Sequence, residues 1–257
     1  MKKRNRIQFI LAFAILLALA CNSDKKEEST ETPATDTTAT TEAAPPAPVE
    51  TTPDAVKAAP NLYKVLSDSA GIRILEATYN PGDSSALHTH ADNAAYALSG
   101  GTATFFGKDG SKVENEMKTG TAFIRGAETH SVKNTGKTPL KVLLVEVSRP
   151  AQTAAIDAAS DATKVSPGLY KAKADSLGIR IIEVNYKPGQ SSKMHSHPDA
   201  ALYILDGGKG EFTGKDGTKE TIEFKKGMAM ITPADSHSVK NIGNTTLKGI
   251  LVEVNRK

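Results

Sequence analysis

The stretch that decides the fold is PGDSSALHTH, residues 81–90, which returns 107 positions later as PGQSSKMHSH, residues 188–197. Each stretch ends in a His-x-His pair, and a third histidine follows forty residues after the pair. Histidines kept only for packing have no reason to fall into two sets of identical spacing. The pattern therefore predicts a duplicated domain with a three-imidazole site in each copy. The candidate ligands are His88, His90 and His130 in the first copy and His195, His197 and His237 in the second.

The duplication extends well beyond the histidines. Shifted by the same offset, residues 60–149 align with residues 167–256 without a gap, and about half of the paired positions are identical. Self-similarity of this length is typical of a repeated structural unit. We expect a first domain at residues 60–149, a linker at 150–166 with a short helix around Ala154–Ala159, and a second domain at 167–257.

Each copy has the pattern of an all-β domain. Runs rich in β-branched and apolar residues lack helical spacing and stop at Pro-Gly or at glycine pairs. Asp-Gly at residues 109–110 and 216–217 favours tight hairpin turns, because that dipeptide accepts positive φ. Short strands with a turn signal about every ten residues predict a sandwich or barrel. The predicted strands include Ile72–Tyr79, Leu140–Val147, Ile179–Tyr186 and Leu247–Val254.

The amino-terminal segment has the features of a targeting signal rather than of a folded domain. Four basic residues precede an apolar run, so residues 1–20 have the layout of a secretory signal peptide. Cys21, the single cysteine of the chain, follows directly, and the segment resembles a bacterial lipoprotein signal in which that cysteine is lipidated. An ordinary cleaved signal and a retained anchor remain alternatives. Residues 21–59 are rich in Thr, Glu, Ala and Pro and predict a disordered tether. The expected location is extracytoplasmic, on a membrane.

Charge gives no argument for nucleic acid as a partner. The formal net charge of the whole chain is +3, and the four basic residues before the apolar run account for more than that excess, leaving about −1 without them. No basic stripe interleaved with aromatic residues follows.

The chemistry of the triads follows from strand geometry. Alternate side chains of a strand share a face, so the two histidines of each pair point the same way. Neutral imidazole is a common ligand for divalent iron, zinc, manganese, nickel or copper. Three protein ligands with open positions are typical of a reactive metal site, whereas a structural zinc site uses four.

The two copies resemble the cupin family. Pro81-Gly82, His88-x-His90 and Tyr96 to Gly100 are similar to the first cupin motif, and Gly120, His130 and Asn134 are similar to the second. The second copy matches at Pro188-Gly189, His195, His197, Tyr203, Gly207, Gly227, Pro233, His237 and Asn241. The resemblance implies two jelly-roll barrels in one chain, a bicupin, whose barrels pair with each other.

Two departures from the cupin pattern concern the site. Asn93 or Ala94, and Ala200 or Ala201, stand where common cupins carry a glutamate ligand, and the turn before the third histidine is one residue shorter. Four acidic residues are candidates for an additional ligand or an orienting group: Asp92, Asp199, Glu128 and Asp235. Four further glutamates lie in predicted strands, where polar side chains usually face water: Glu76, Glu146, Glu183 and Glu253.

Three classes of function remain open. The first is a binding module in which each metal recruits a small oxygen-containing ligand. The second is a metal-dependent enzyme, either a dioxygenase or an isomerase or hydrolase, with Glu128 or Asp235 as acid or base. The third is a metal-free carbohydrate-binding or scaffold cupin. The copies differ at Asn93/Ala200, Leu87/Met194 and Arg125/Thr232, so their ligands need not be the same.

Overall fold

The computed structural model describes residues 51–150, 157 and 159–256. The predicted signal peptide, Cys21, most of the predicted tether and most of the predicted helix at 154–159 lie outside these residues. The first repeat consists of the helix α1 Ala55–Ala58 and the strands β1 Tyr63–Ser69, β2 Ile72–Tyr79, β3 His88–His90, β4 Asp92–Ser99, β5 Gly101–Gly107, β6 Lys112–Met117, β7 Ala122–Arg125, β8 Glu128–Asn134 and β9 Leu140–Val147.

The second repeat has the same order of elements. It consists of the helix α2 Ala162–Val165 and the strands β10 Tyr170–Ser176, β11 Ile179–Tyr186, β12 His195–His197, β13 Ala200–Asp206, β14 Gly208–Gly214, β15 Lys219–Phe224, β16 Ala229–Thr232, β17 Asp235–Asn241 and β18 Leu247–Val254. No helix among the described residues is long and apolar enough to cross a membrane.

Each repeat folds into a jelly-roll β-barrel made of two antiparallel sheets. The five-stranded sheets have the order β1-β2-β9-β4-β7 and β10-β11-β18-β13-β16. The four-stranded sheets have the order β3-β8-β5-β6 and β12-β17-β14-β15. The fold class expected from the sequence is confirmed, and four predicted strands, now β2, β9, β11 and β18, have the expected bounds.

The five-stranded sheet of each barrel is buried on both faces. On β2, Leu75, Ala77 and Tyr79 belong to a core inside the first barrel. Ile72 and Ile74 point the other way and join a second core, to which the second barrel also contributes. This alternation follows from the two-residue period of a strand. Because both faces are largely buried, β9 has apolar residues at six of its eight positions rather than an alternating pattern.

The two short helices correct the domain boundaries inferred from the sequence. α1 lies in the predicted tether and α2 in the predicted linker, yet Ala55 and Ala162 are fully buried against their barrels. Each helix begins after an aspartate whose side chain accepts a hydrogen bond from the backbone two residues on, which is an N-cap. Composition alone missed these helices because one turn of helix adds few large apolar residues to a polar segment.

Candidate metal centres

Strand register brings each histidine triad together. His88 on β3 lies directly opposite His130 on β8, and His195 on β12 lies opposite His237 on β17. The second histidine of each pair is two residues along the same strand and so shares that face. The ligand nitrogens of each triad all lie within 4.8 Å of one another. All six predicted ligands therefore converge as two sets of three.

Hydrogen bonds at Nδ1 fix the rings of the first His-x-His pair. His88 Nδ1 lies 2.8 Å from the carbonyl oxygen of Ala86, and His90 Nδ1 lies 2.6 Å from Glu146 Oε1. Both partners are acceptors, so we assign the ring proton to Nδ1, which leaves the lone pair on Nε2. The Nε2 atoms of His88 and His90 face each other at 3.0 Å. This is the arrangement in which metal-bound histidines are held by outer partners.

The second triad repeats these bonds. His195 Nδ1 lies 2.7 Å from the carbonyl oxygen of Lys193, and His197 Nδ1 lies 2.6 Å from Glu253 Oε1. His237 Nδ1 lies 3.0 Å from Asp235 Oδ2. His195 Nε2 is buried with no hydrogen-bond partner. A buried lone pair without a partner is costly, and a cation bound there would satisfy it. The residues present therefore fit a divalent metal ion.

Burial keeps the first histidine of each triad neutral. Desolvation lowers the pKa of His88 and of His195 to about 4. Desolvation also lowers the pKa of His237. A neutral imidazole is the form that donates its lone pair to a metal, so near neutral pH these ligands require no deprotonation before binding.

Glu146 and Glu253 contact the triads, and sequence reasoning placed them wrongly. Each was expected to face water on its strand, but Glu146 is 3% exposed and Glu253 is fully buried. Each points into its barrel, accepts the Nδ1 proton of a histidine and pairs with an arginine, Arg73 or Arg180, on the neighbouring strand. The available signal was cross-strand charge, since each arginine stands opposite its glutamate in the register.

Asp92 and Asp199 are structural, which corrects their candidacy as extra ligands. Asp92 Oδ1 accepts a hydrogen bond from the backbone of Ala127, and its Oδ2 lies 2.9 Å from Arg256 of the other barrel. Asp199 makes the equivalent bonds, to the backbone of Ala234 and to Arg149. Their carboxylates are engaged in joining strands and barrels, so they do not complete the coordination of the triads.

Glu128 and Asp235 do lie beside the third histidine. Glu128 Oε2 is 3.4 Å from His130 Nδ1 and 3.1 Å from Arg125. Burial by itself raises the pKa of Glu128, but the His130 contact and the Arg125 charge outweigh it and hold that pKa below its usual value. Asp235 is hydrogen-bonded to its histidine and fits the predicted orienting role, whereas Glu128 is in contact with His130 without a hydrogen bond to Nδ1.

The first barrel encloses a cavity of about 50 Å³ next to its triad. Apolar side chains form most of the wall, and His90, Asn93, Arg125, Glu128 and His130 supply its polar groups. About 10–15 Å³ of such space holds one water, so the cavity has room for roughly four water-sized groups. Arg125 stacks over the rings of Phe105 and Phe123 at 5.3 and 4.9 Å. The second barrel has Thr232 in place of this arginine and Ala200 in place of Asn93.

Two tyrosines contact the triads, although the sequence gave no chemical reason to select them. Tyr63 Oη lies 3.1 Å from His88 Nε2 and 2.8 Å from Tyr79 Oη. Tyr170 packs against His195 with ring centroids 4.8 Å apart and is hydrogen-bonded to Tyr186. Desolvation raises the pKa of Tyr63 and Tyr170, so both stay protonated. Identity between the copies was the signal that could have found them.

Comparison with known proteins agrees with this architecture. Residues 182–253 match the Cupin_2 cupin-domain family. The second repeat is therefore a cupin domain. The first repeat has the same order of strands and the same motif. The search of curated proteins gave no match.

Several solved structures share the fold. An oxalate decarboxylase is 16% identical with a TM-score of 0.55, covering 76% of this chain and 78% of that one. Oxalate decarboxylase from Bacillus subtilis, described with Mn(II) centres, is 17% identical with a TM-score of 0.52, covering 77% and 78%. AerE from Microcystis aeruginosa is 14% identical with a TM-score of 0.52, covering 75% and 97%. At these identities the likeness shows the fold alone.

Proposed function

We propose that the protein is a metal-binding bicupin in which each barrel holds one divalent transition metal and presents it to a small oxygen-containing ligand. The observation that carries this proposal is the convergence of three imidazoles in each barrel, with the first two held through Nδ1 so that their Nε2 lone pairs face one point. Neutral nitrogen ligands suit iron, zinc, nickel and copper and bind manganese more weakly, and the geometry does not choose among these metals.

The environment of the first triad supports a small ligand. Three protein ligands leave positions on the metal open. The adjacent cavity has room for a molecule of about four heavy atoms, which is the size of a small carboxylate. Arg125 at its edge donates hydrogen bonds in a planar fork that suits a carboxylate. A metal dication with three neutral imidazoles also favours an anion in an open position.

Metal content is the decisive measurement for this proposal. Residues 51–257, purified without a histidine tag, should contain close to two equivalents of one metal by plasma mass spectrometry. The variant with His88, His90, His195 and His197 changed to alanine should contain none, while circular dichroism shows that it remains folded. Absence of metal from the unchanged protein, even after incubation with iron, zinc, manganese, nickel and copper, would leave the metal-free carbohydrate-binding or scaffold function.

A metal-dependent enzyme is the second candidate. Glu128 lies against His130 and lines the same cavity, so a carboxylate is available there to accept or donate a proton. Similarity in fold to oxalate decarboxylases is compatible with this role. Oxygen uptake and product formation with small carboxylic acids, thiols, phenols and sugar acids would identify turnover. Binding of a carboxylate without any turnover would favour the binding module.

We also propose that the mature protein is tethered to a membrane on the extracytoplasmic side. The basic start, the apolar run and Cys21 support a lipidated terminus, from which a polar segment leads to the barrels. Metabolic labelling with radioactive palmitate should mark the protein, and Cys21→Ser should abolish the label. A labelled Cys21→Ser variant, or an unlabelled parent that stays soluble, would overturn this proposal.

A further inference from the structure

Each triad is connected to the segment that precedes its barrel by a chain of buried and half-buried charged groups. In the first barrel, His90 Nδ1 donates to Glu146, whose other oxygen accepts a hydrogen bond from Arg73 Nε at 2.6 Å. Arg73 also pairs with Asp54, the residue that caps α1. The chain of contacts therefore runs from an imidazole of the triad to a residue inside the segment that was predicted to be a tether.

The second barrel has the same four-residue chain. His197 donates to Glu253, and Arg180 donates to Glu253 Oε2 at 2.8 Å through Nε and to Asp161 Oδ2 at 2.7 Å through Nη1. Asp161 caps α2. Asp54 and Asp161 are separated by the repeat offset, so the duplicated unit begins six residues before the alignment that the sequence suggested.

Backbone contacts link the same segments to the histidine strands. The amide of Thr89, between His88 and His90, donates to the carbonyl oxygen of Pro53 at 2.9 Å. The amide of Ser196 donates to the carbonyl oxygen of Ser160 at 2.8 Å. Each pre-barrel segment is thus bound both to the backbone of the His-x-His strand and, through the arginine, to the carboxylate that orients the second histidine.

We propose that Asp54 and Asp161 are positioning residues for the metal sites, and that docking of each pre-barrel segment and metal binding in its barrel strengthen each other. The inference rests on the proposed metal sites. The aspartate shares the positive charge of the arginine, which leaves the glutamate a stronger acceptor for the histidine Nδ1 proton. A stronger acceptor makes the imidazole a better metal ligand. By linkage, metal bound in the site must stabilise the docked segment by the same factor.

The test measures each site by itself in the full chain. In a background with His195→Ala and His197→Ala, Zn²⁺ affinity and the visible spectrum of bound Co²⁺ report on the first triad. Asp54→Asn keeps a good helix cap but removes the charge paired with Arg73. We expect Zn²⁺ binding to weaken by about tenfold, the lower end of the range for outer-shell partners, and the Co²⁺ spectrum to shift. Asp161→Asn in the same background is the matched control and should change neither.

Hydrogen exchange on the unsubstituted chain tests the reverse direction and does not depend on whether a variant folds. Zn²⁺ should slow amide exchange in residues 55–59 and 162–166. In a His88→Ala, His90→Ala variant, that effect should persist only in residues 162–166. Unchanged affinity in Asp54→Asn, or unchanged exchange on Zn²⁺ binding, would overturn the coupling while leaving the metal site intact. Failure of the unsubstituted chain to bind any of zinc, cobalt, iron, manganese, nickel and copper would overturn both proposals.

Discussion

In the first barrel the edge of the site carries Arg125, which packs on two phenylalanines and pairs with Glu128, whereas the second barrel has Thr232 and an Asp235 whose side chain is 65% exposed. Behind the histidines, by contrast, the charged groups are more deeply buried in the second barrel than in the first. Arg180 and Glu253 are 11% and 0% exposed in the second barrel, against 24% and 3% for Arg73 and Glu146 in the first. The duplicated chain has kept the triads and their supports and changed what surrounds them.

This difference indicates which parts of the site vary independently. The groups that hold the imidazoles depend on one another, because removing one buried charge leaves its partners unsatisfied. The edge of the cavity is in contact with solvent and can change without that penalty. We therefore expect stability to be more sensitive in the second barrel, and ligand selectivity to reside mainly in the first.

The largest effect is expected from loss of the buried glutamates. Glu253→Ala should lower the free energy of unfolding by about 3–5 kcal/mol, as for other buried ion pairs that lose one partner. Glu146→Ala should cost less, because Arg73 retains more contact with water. Urea unfolding of the metal-free chain measures both. An equal or smaller loss in Glu253→Ala would show that the greater burial of the second network has no energetic consequence.

Acid should destabilise the metal-free protein through the buried histidines. Folding holds the pKa of His88 and His195 at about 4, below the unfolded value of 6.5. The unfolded chain thus binds more protons between these values, so stability falls as pH falls from 6.5 to 4, by roughly 3 kcal/mol for each histidine.

The two barrels should differ in this acid response, because burial also lowers the pKa of His237 in the second. Urea unfolding at pH 7.5 and 4.5 measures the loss. His88→Asn and His195→Asn should each reduce it. A variant that keeps the full pH dependence would show that its histidine is not responsible.

Substituting Arg125 and Thr232 at the edge of each site should change ligand affinity, with a smaller free-energy effect than the changes above. With the second triad disabled and metal bound in the first, Arg125→Thr should weaken formate binding by about tenfold, the lower end for hydrogen bonds to charged groups, because Glu128 already shares the guanidinium. Calorimetric titration measures the affinity. The matched change Thr232→Arg, with the first triad disabled, should strengthen binding in the second barrel. Unchanged formate affinity in Arg125→Thr would exclude a role for this side chain in ligand recognition.

The smallest loss of stability is expected from removing a hydrogen bond between the two barrels. Tyr96 donates to Glu183 at 2.9 Å, and Tyr203 donates to Glu76 at 3.3 Å, so each barrel supplies one hydroxyl and one carboxylate. Tyr96→Phe should cost about 1 kcal/mol and Tyr203→Phe less, since its bond is longer. Thermal unfolding of the two variants compares them directly. A larger loss in Tyr203→Phe would reverse this order.

The sequence by itself determined the duplication, the all-β class and the six histidines. These properties can be read from the spacing of residues. Alternation along a strand sets which side chains share a face, and a fixed offset between the copies reveals the repeat. The bounds of β2 and β9 were readable because glycine and proline interrupt the apolar runs around them.

Only the tertiary structure decided the roles of the acidic residues. Asp92 was a candidate ligand by proximity in sequence, yet it binds an arginine of the other barrel. Glu146 had no apparent role, yet it orients His90 from 56 positions away. A carboxylate has the same composition whether it faces water, another barrel or an imidazole. Its role depends on which partners the folded sheets place within hydrogen-bonding distance, and those partners are distant in the chain.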